Sequence, residues 1–415
     1  MPPRILLSEG SSLSAREAIT ALGRAGHRVE ICDPARLCLG RFSRYVRRFH
    51  RCPPMGEDPA GYLDFVLALL ARRRFDVLLP THEQAFLFAR MRDALPPSIG
   101  LALPSFEAFS TLQSKASFYL LLEQMRLPYP ESRIVRGKAE LLRQDRFPVY
   151  VKTAIGTASR GVWRVGDSRE LERVVSLLEM QGSLDGRVIF QEPVAGVLER
   201  AQVVFDQGRL VASHVYRQIA PAPGGGDILK QSVRRPEVRE HLARLGRRLQ
   251  WHGAMSVDLI YDEKRRQPFY IDTNPRLVEP VNALLSGVNL AELLVRISLG
   301  ESPPTVPEGR EGVRTRQAIQ ALLGSAIGQS SRTKLLAECW RLFRAAGPYA
   351  GTVEELTPFR DDPPSALAVA GVALQLLVNP RLAHGISANT SRAHQLNLRA
   401  ARYIRDELPR HSPRS

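Results

Sequence analysis

Cysteine is scarce in this chain, and the four present, Cys32, Cys38, Cys52 and Cys339, form no CxxC pair and share no zinc-like spacing with histidine. That excludes a zinc module and a disulfide framework, and a reducing, cytoplasmic setting is expected. Long apolar runs are missing too. The opening MPPRILLSEG reaches Ser8 and Glu9 at once, too short for the apolar core of a secretion signal. Ser365 to Val378, SALAVAGVALQLLV, is nearly all apolar but supplies only about two-thirds of the ~20 residues that cross a bilayer. It is expected to be buried or to join two copies in a homo-oligomer, or alternatively to rest on a membrane surface among arginines. Lysine is rare: Lys115, Lys138, Lys152, Lys230, Lys264 and Lys334 are six of the 58 basic residues, the other 52 being arginine. The net charge of +16 favours polyanions, but the basic residues are scattered, and nucleic acid is not an expected partner.

What is present suits a globular protein: 415 residues, 44% hydrophobic and 24% charged, enough for two or three domains. Arg4 to Leu7 reads as a strand, Leu13 to Leu22 as a helix stopped by Gly26, and Val29 to Cys32 as a second strand, a βαβ unit. Its first turn lacks GxGxxG, so no dinucleotide site is expected, and Asp33 is read as a turn residue. A helix from Tyr62 to Ala71 leads to the strand Phe75 to Leu79, which ends in Pro80-Thr81-His82-Glu83. Ligands of open α/β sheets collect at such strand ends, so His82 and Glu83 are candidate substrate contacts, with capping and surface exposure as the plainer alternative. RFSRYVRRFHR, Arg41 to Arg51, either stacks on nucleic acid or packs its aromatics inward, and the second is preferred.

From Phe106 to Leu122 the spacing predicts one long helix with Lys115 inside it. Phe147 to Lys152 is a strand running into Thr153 to Gly161, a small, hydroxyl-rich loop whose backbone N–H groups can approach phosphate; Val162 to Val165 is its return strand. Val188 to Phe190 enters Gln191-Glu192-Pro193-Val194, and Gln202 to Phe205 with Leu210 to Tyr216 forms a hairpin. Pro221 to Asp227 is irregular, and helices follow at Glu237 to Leu249 and Leu290 to Leu299. Beyond Pro303 the pattern is helical, at Arg316 to Leu323, Lys334 to Ala345 and Arg392 to Leu408.

The most informative stretch is MSVDLIYDEKRRQPFYIDTNPR, Met255 to Arg276. Its two apolar runs alternate with period two around a charged turn and predict a β-hairpin. Folded about Arg265, it sets Asp258 opposite Asp272, with Asn274 on the same face as Asp272. Opposed carboxylates with Cβ atoms about 5 Å apart repel unless a cation lies between them, which suits a hard ion such as Mg²⁺.

Lys115, the strand ending in Lys152, the Gly156 to Gly161 loop, Gln191 to Val194 and Asp258 through Asp272-Thr273-Asn274-Pro275-Arg276 occur in the order of a known family, and over roughly Arg4 to Glu301 the chain resembles the ATP-grasp superfamily. The resemblance implies an α/β plus α+β architecture: a Rossmann-like pre-ATP-grasp domain (1–105), a two-lobed ATP-grasp domain with antiparallel sheets (106–302, lid about 147–195), and then a helical C-terminal extension (303–415). It implies ATP as nucleotide, bound by Lys115, Lys152, Gly156, Ser159, Gly161, Gln191, Glu192, Val194 and Glu199. Mg²⁺, or Mn²⁺, would bind Asp258, Asp272 and Asn274, with Arg276 and Lys152 catalytic. Asp272 stands where the family more often has glutamate. The implied reaction joins a small carboxylate, activated as an acyl phosphate, to an amine. A kinase or carboxylase with another acceptor and a degenerate binding scaffold are the alternatives; no biotin-carrier Met-Lys-Met is present. Substrate contacts are sought among His82, Glu83, Arg217, Gly225, Asp227 and Lys230.

Overall fold

The computed structural model describes residues 2–156, 161–184, 186–329, 331–389, 394 and 396–409. Strands β1 (Ile5–Leu7), β2 (Val29–Asp33), β3 (Val46–Arg51) and β4 (Val77–Leu79) form a parallel sheet in the order β3-β2-β1-β4. Successive side chains part to opposite faces: Leu6, Cys32 and Leu78 enter one core, Ile5, Leu7, Ile31 and Leu79 another, as a sheet covered on both sides requires. The helix Leu13–Arg24 opens with Ser12, whose side chain accepts from the Ala15 N–H. RFSRYVRRFHR supplies the edge strand β3. Its aromatics turn inward, Tyr45 covering Gly23 of that helix and Phe49 lying 4.8 Å beneath the Arg41 guanidinium.

A second sheet, antiparallel, runs β5-β8-β6-β7 and contains β5 (Ser132–Arg136), β6 (Val149–Thr153), β7 (Val162–Val165) and β8 (Arg187–Gln191). With the helix Ser168–Met180 it encloses a small core of its own, including Val149, Val151, Leu171, Val175 and Leu178. This unit starts at Ser132, upstream of the expected 147.

The third sheet has seven strands in the order β13-β12-β9-β10-β11-β14-β15. These are β9 (Val197–Asp206), β10 (Arg209–Pro221), β11 (Asp227–Val233), β12 (Gly253–Asp262), β13 (Gln267–Asn274), β14 (Arg314–Arg316) and β15 (Val353–Glu354). Ala201, Val203, Phe205, Val257 and Leu259 point to the side of the helix Pro236–Leu249, where Val238, Leu242 and Leu245 complete a core. On the other face Val204, Ala212 and Ala254 join a core with the helix Leu290–Ser298, while Arg200, Gln202, Ser256 and Asp258 make the rest of it polar.

Two expectations are corrected here. The helix predicted over 106–122 breaks at Ser114 (φ −96°, ψ 117°), giving Phe106–Gln113 and Lys115–Gln124. Apolar spacing runs through the break because both pieces bury the same face, while the Ser114 side chain accepts from the Ser117 N–H and caps the second. Lys115 therefore begins a helix. The stretch after Pro303 is not purely helical either: β14 pairs with β11 and β15 with β14, extending the main sheet, and Arg316 ends a strand rather than opening a helix. Helices Ala318–Gln329, Arg332–Arg344, Ala366–Val378, Leu382–Asn389 and Leu398–Arg402 follow. Within Ala366–Val378 Leu376 is buried and Ala368, Val369, Val372, Ala373 and Leu377 pack half-buried on the same core, so one side of that apolar run is covered and the other is exposed. Among the described residues no helix is long and apolar enough to cross a membrane.

Candidate active site

The β12–β13 hairpin brings Asp258 into register with Asp272 and Ser256 with Asn274. It does so by an unforeseen route. At its turn Asp262 pairs with Gln267 and Leu259 with Tyr270, a register that would set Asp258 opposite Ile271; the shift between Asp258 and Leu259 adds one residue to β13 and returns Asp272 to the opposing place. A one-residue slip would send the carboxylate to the other face, so the bulge at Ile271 builds the site.

Burial pushes Asp258 up to about 6; Asp272 and Asp227 add to the rise, and Arg200 and Lys115 oppose it. A carboxyl raised by neighbouring carboxylates is one that a cation relieves. Together with the Asn274 amide oxygen, the pair therefore offers the all-oxygen donor set a hard divalent ion takes.

Lys115, on the helix Lys115–Gln124, and Lys152, on β6 of the second sheet, both reach this hairpin. Lys115, at the start of its helix, places Nζ 2.9 Å from Asp272 Oδ2 and donates to the Gly156 carbonyl at 3.2 Å. It thus ties the entry of the 156–161 loop to the hairpin. Lys152, on β6, donates to the Ile271 carbonyl and to the Tyr119 hydroxyl, both at 3.2 Å. The bulge that sets the register also anchors this lysine. Burial pulls Lys152 down to about 8, a fall strengthened by Lys115 and resisted by Asp272 and Asp258. The loop returns at Gly161, where φ is 85° and a Cβ would stand 2.2 Å from Thr153 Oγ1, so only glycine fits. Thr157 to Arg160, and with them Ser159, lie outside the described residues.

Gln191 ends β8 with its side chain buried, donating to Tyr119 at 2.7 Å and to Ser132 at 3.2 Å. Glu192 is exposed and Val194 half-buried in the connection from β8 to β9, the chain's passage from one sheet to the other. Arg276 is buried: its Nε stands 3.6 Å from Glu83 Oε1, its outer nitrogen is 3.4 Å from Asn274 Oδ1, and Nε has no hydrogen-bond partner. Glu83 also accepts from Gln113 at 3.0 Å. His82 beside it is buried with Nδ1 unpartnered, and burial, then Arg276, holds its pKa well below the imidazole range. The strand end Pro80 to Glu83 thus meets the catalytic candidate.

Of the other candidates, some turn away from the hairpin and the rest are already paired. Glu199 is fully buried on the helix side of the third sheet, where Arg217 (3.0 Å) and Arg235 (2.7 Å) hold it. Its neighbour Arg200 faces the site, 3.4 Å from Asp258, and adjacent strand residues point apart. Glu199 is therefore turned away from the opposed carboxylates, and Arg217 with it, paired to Glu199 and Glu263. Asp227 is buried and taken by Arg200 (2.6 Å) and Gln218 (2.6 Å), while the Gly225 carbonyl accepts from Arg200 at 2.9 Å. Lys230 is buried among Glu279 (2.5 Å), Glu355 (2.7 Å) and Glu17 (3.8 Å), closed off from small substrates. Glu279 follows Arg276 closely and holds φ at 40°, a left-handed non-glycine residue.

Sequence reasoning missed Arg200 and Tyr119. Tyr119 lies one turn after Lys115, an i,i+4 relation that was available; it donates to the Ile271 carbonyl at 2.9 Å and receives Lys152 and Gln191. Arg200 pairs with Asp258 only because β9 lies beside β12, an adjacency no local pattern announces.

No family model matches the chain. The urea amidolyase of Lachancea kluyveri is 28% identical over 242 residues, 53% of this chain but 13% of that protein, so the chain spans a small part of this curated relative. Among solved structures, the biotin carboxylase domain of Hydrogenobacter thermophilus 2-oxoglutarate carboxylase, in complex with MgADP, ADP and bicarbonate, is similar with a TM-score of 0.60 at 16% identity, covering 75% of this chain and 73% of that one. The L-amino acid ligase of Bacillus licheniformis gives 0.55 at 18% identity, covering 73% and 76%. Both are ATP-grasp proteins. These likenesses show the fold, which is that of ATP-grasp proteins.

Proposed function

We propose that this protein is an ATP-dependent ligase that activates a small carboxylate as an acyl phosphate and joins it to an amine, releasing ADP and phosphate. The observation that carries the reading is the convergence of Lys115 and Lys152 on the opposed Asp258 and Asp272: two carboxylates for a cation and two ammonium groups for phosphates. Residues 106–302 form the nucleotide clamp in this reading, 1–105 a Rossmann-like unit presenting His82 and Glu83, and 303–415 an extension that completes the main sheet.

Asp258, Asp272 and Asn274 would hold Mg²⁺, which when bound neutralises phosphate oxygens as charge redistributes. Lys115 and Lys152 orient the β- and γ-phosphates, exchanging their present partners for them. Arg276 stabilises the transferring phosphoryl group, and its partnerless Nε, already desolvated, is set to do so with little reorganisation. A carboxylate oxygen attacks the γ-phosphorus while the bond to the β-phosphate bridge breaks and ADP leaves. The amine nitrogen then attacks the acyl carbon, the C–O bond breaks, and phosphate departs carrying one oxygen of the acid.

The test follows that oxygen. Protein, Mg²⁺ and ATP are incubated with ¹⁸O-carboxylate acids, amino acids first, and the released phosphate is weighed. One labelled oxygen per phosphate is expected. ADP formation with all the label retained in the acid would overturn the reading.

A further inference from the structure

One side of the apolar helix Ala366–Val378 is left uncovered, and its surroundings indicate what covers it. Leu367 is 62% exposed, Leu374 65% and Val378 64%. The helix Arg332–Arg344 presents Leu336, Trp340 and Phe343 in the same way, with Trp340 and Phe343 at 58% and 78% and their rings 6.3 Å apart. Arg332 donates to the Val378 carbonyl at 2.8 Å, setting the start of one helix against the end of the other. Leu336 and Leu374 each lie one turn from that contact, and the two helices pack on one another.

The charge around them has one sign. Arg332, Lys334, Arg341 and Arg344 are exposed on the first helix, whose lone acid, Glu338, is buried and bonded to Tyr349 and Arg341. From Pro363 to Arg405 the sequence has no aspartate or glutamate, while Arg381 is exposed just past the second helix. The Arg344 guanidinium lies 4.8 Å from the Trp340 ring. Aliphatic side chains with a tryptophan and a phenylalanine, ringed by cations and lacking free carboxylates, match an interface of acyl chains beneath anionic headgroups. A second copy of the chain would bring the same cations face to face, which disfavours self-association through this surface.

We propose that the face formed by Arg332–Arg344 and Ala366–Val378 docks the protein on an anionic lipid surface, inserting Trp340, Phe343 and Leu374 to interfacial depth without crossing. The whole chain is floated with vesicles of phosphatidylcholine alone and of phosphatidylcholine with about one-third phosphatidylglycerol, a content at which several basic residues contribute to binding. Binding is expected to the anionic vesicles only, to fall at least tenfold in 0.5 M salt, and to fall at least tenfold in Trp340→Ser/Phe343→Ser. Circular dichroism of that variant should match the wild type, since both side chains are exposed. A second variant, Arg341→Gln/Arg344→Gln, should weaken binding while keeping the apolar residues. Absence of wild-type binding to anionic vesicles overturns the proposal. So does a wild-type dimer that the serine variant converts to monomer, because the face is then covered by a second copy.

Discussion

Lys152 is the residue whose chemistry is most exposed to measurement. Burial brings its pKa to about 8, so the free protein carries the ammonium below that pH and loses it above. Phosphate favours the charged form. ATP binding must therefore take up a proton once the pH exceeds about 8, and affinity should weaken by up to about tenfold per unit above it. Calorimetry at pH 7.5 and 9.5 reads this directly, and equal dissociation constants would remove Lys152 from the phosphate site. Residue identities of this kind were legible in part: alternation and a turn placed about Arg265 set Asp258 against Asp272, while the bulge that delivers that register was not legible. Glu199 shows the limit. The resemblance implied an ATP contact for it, but the face of β9 it occupies is decided by which strands flank it, and those come from distant sequence.

At the scale of elements, the two lysines of the candidate site owe their positions to two irregularities. Ser114 interrupts what apolar spacing presents as one helix, so that Lys115 starts a new one. The bulge at Ile271 corrects the hairpin register and offers the carbonyl that Lys152 and Tyr119 share. Caps and bulges turn on a single side chain or an extra residue, which hydrophobic periodicity averages over. Replacing Ser114 by alanine should cost about 1 kcal/mol, the usual worth of an N-cap, and should raise the KM for ATP several-fold as the helix start frays. Chemical denaturation and steady-state kinetics check the two effects; a stability loss with unchanged KM would mean that the cap does not position Lys115. Strands β14 and β15 were illegible for a related reason, being only three and two residues long and thus below the length at which alternation can be seen.

Across the whole molecule, one buried cation joins the parts. Lys230 on β11 meets Glu17 from the first helix, Glu279 from the segment after Arg276 and Glu355 beside β15, while Gln317 donates to all three carboxylates. Those acids hold the Lys230 ammonium charged although burial opposes it, and Lys230 holds Glu279 below the usual carboxylate range against the same burial. A depressed carboxylate pKa gives stability that is present above the unfolded value and lost as pH falls through the folded one. Lys230→Met leaves the acids without a cation and should cost about 3–5 kcal/mol at pH 8, with a smaller loss at pH 5, where they take up protons. A loss independent of pH in urea titrations would assign the effect to packing. The same cluster explains why 303–415 is no appendage: it supplies Glu355, Gln317 and two strands to the body that carries the site.

Everything proposed about the reaction depends on a nucleotide bound through a cation at the hairpin. Titration calorimetry of ATP into wild type and Asp272→Ala, each with Mg²⁺ and with chelator, tests that claim most directly. The expected result is binding to wild type that Mg²⁺ strengthens at least tenfold, and no such strengthening in Asp272→Ala with the fold intact by circular dichroism. ATP binding equally tight in both proteins, with Mg²⁺ or without it, would contradict the account.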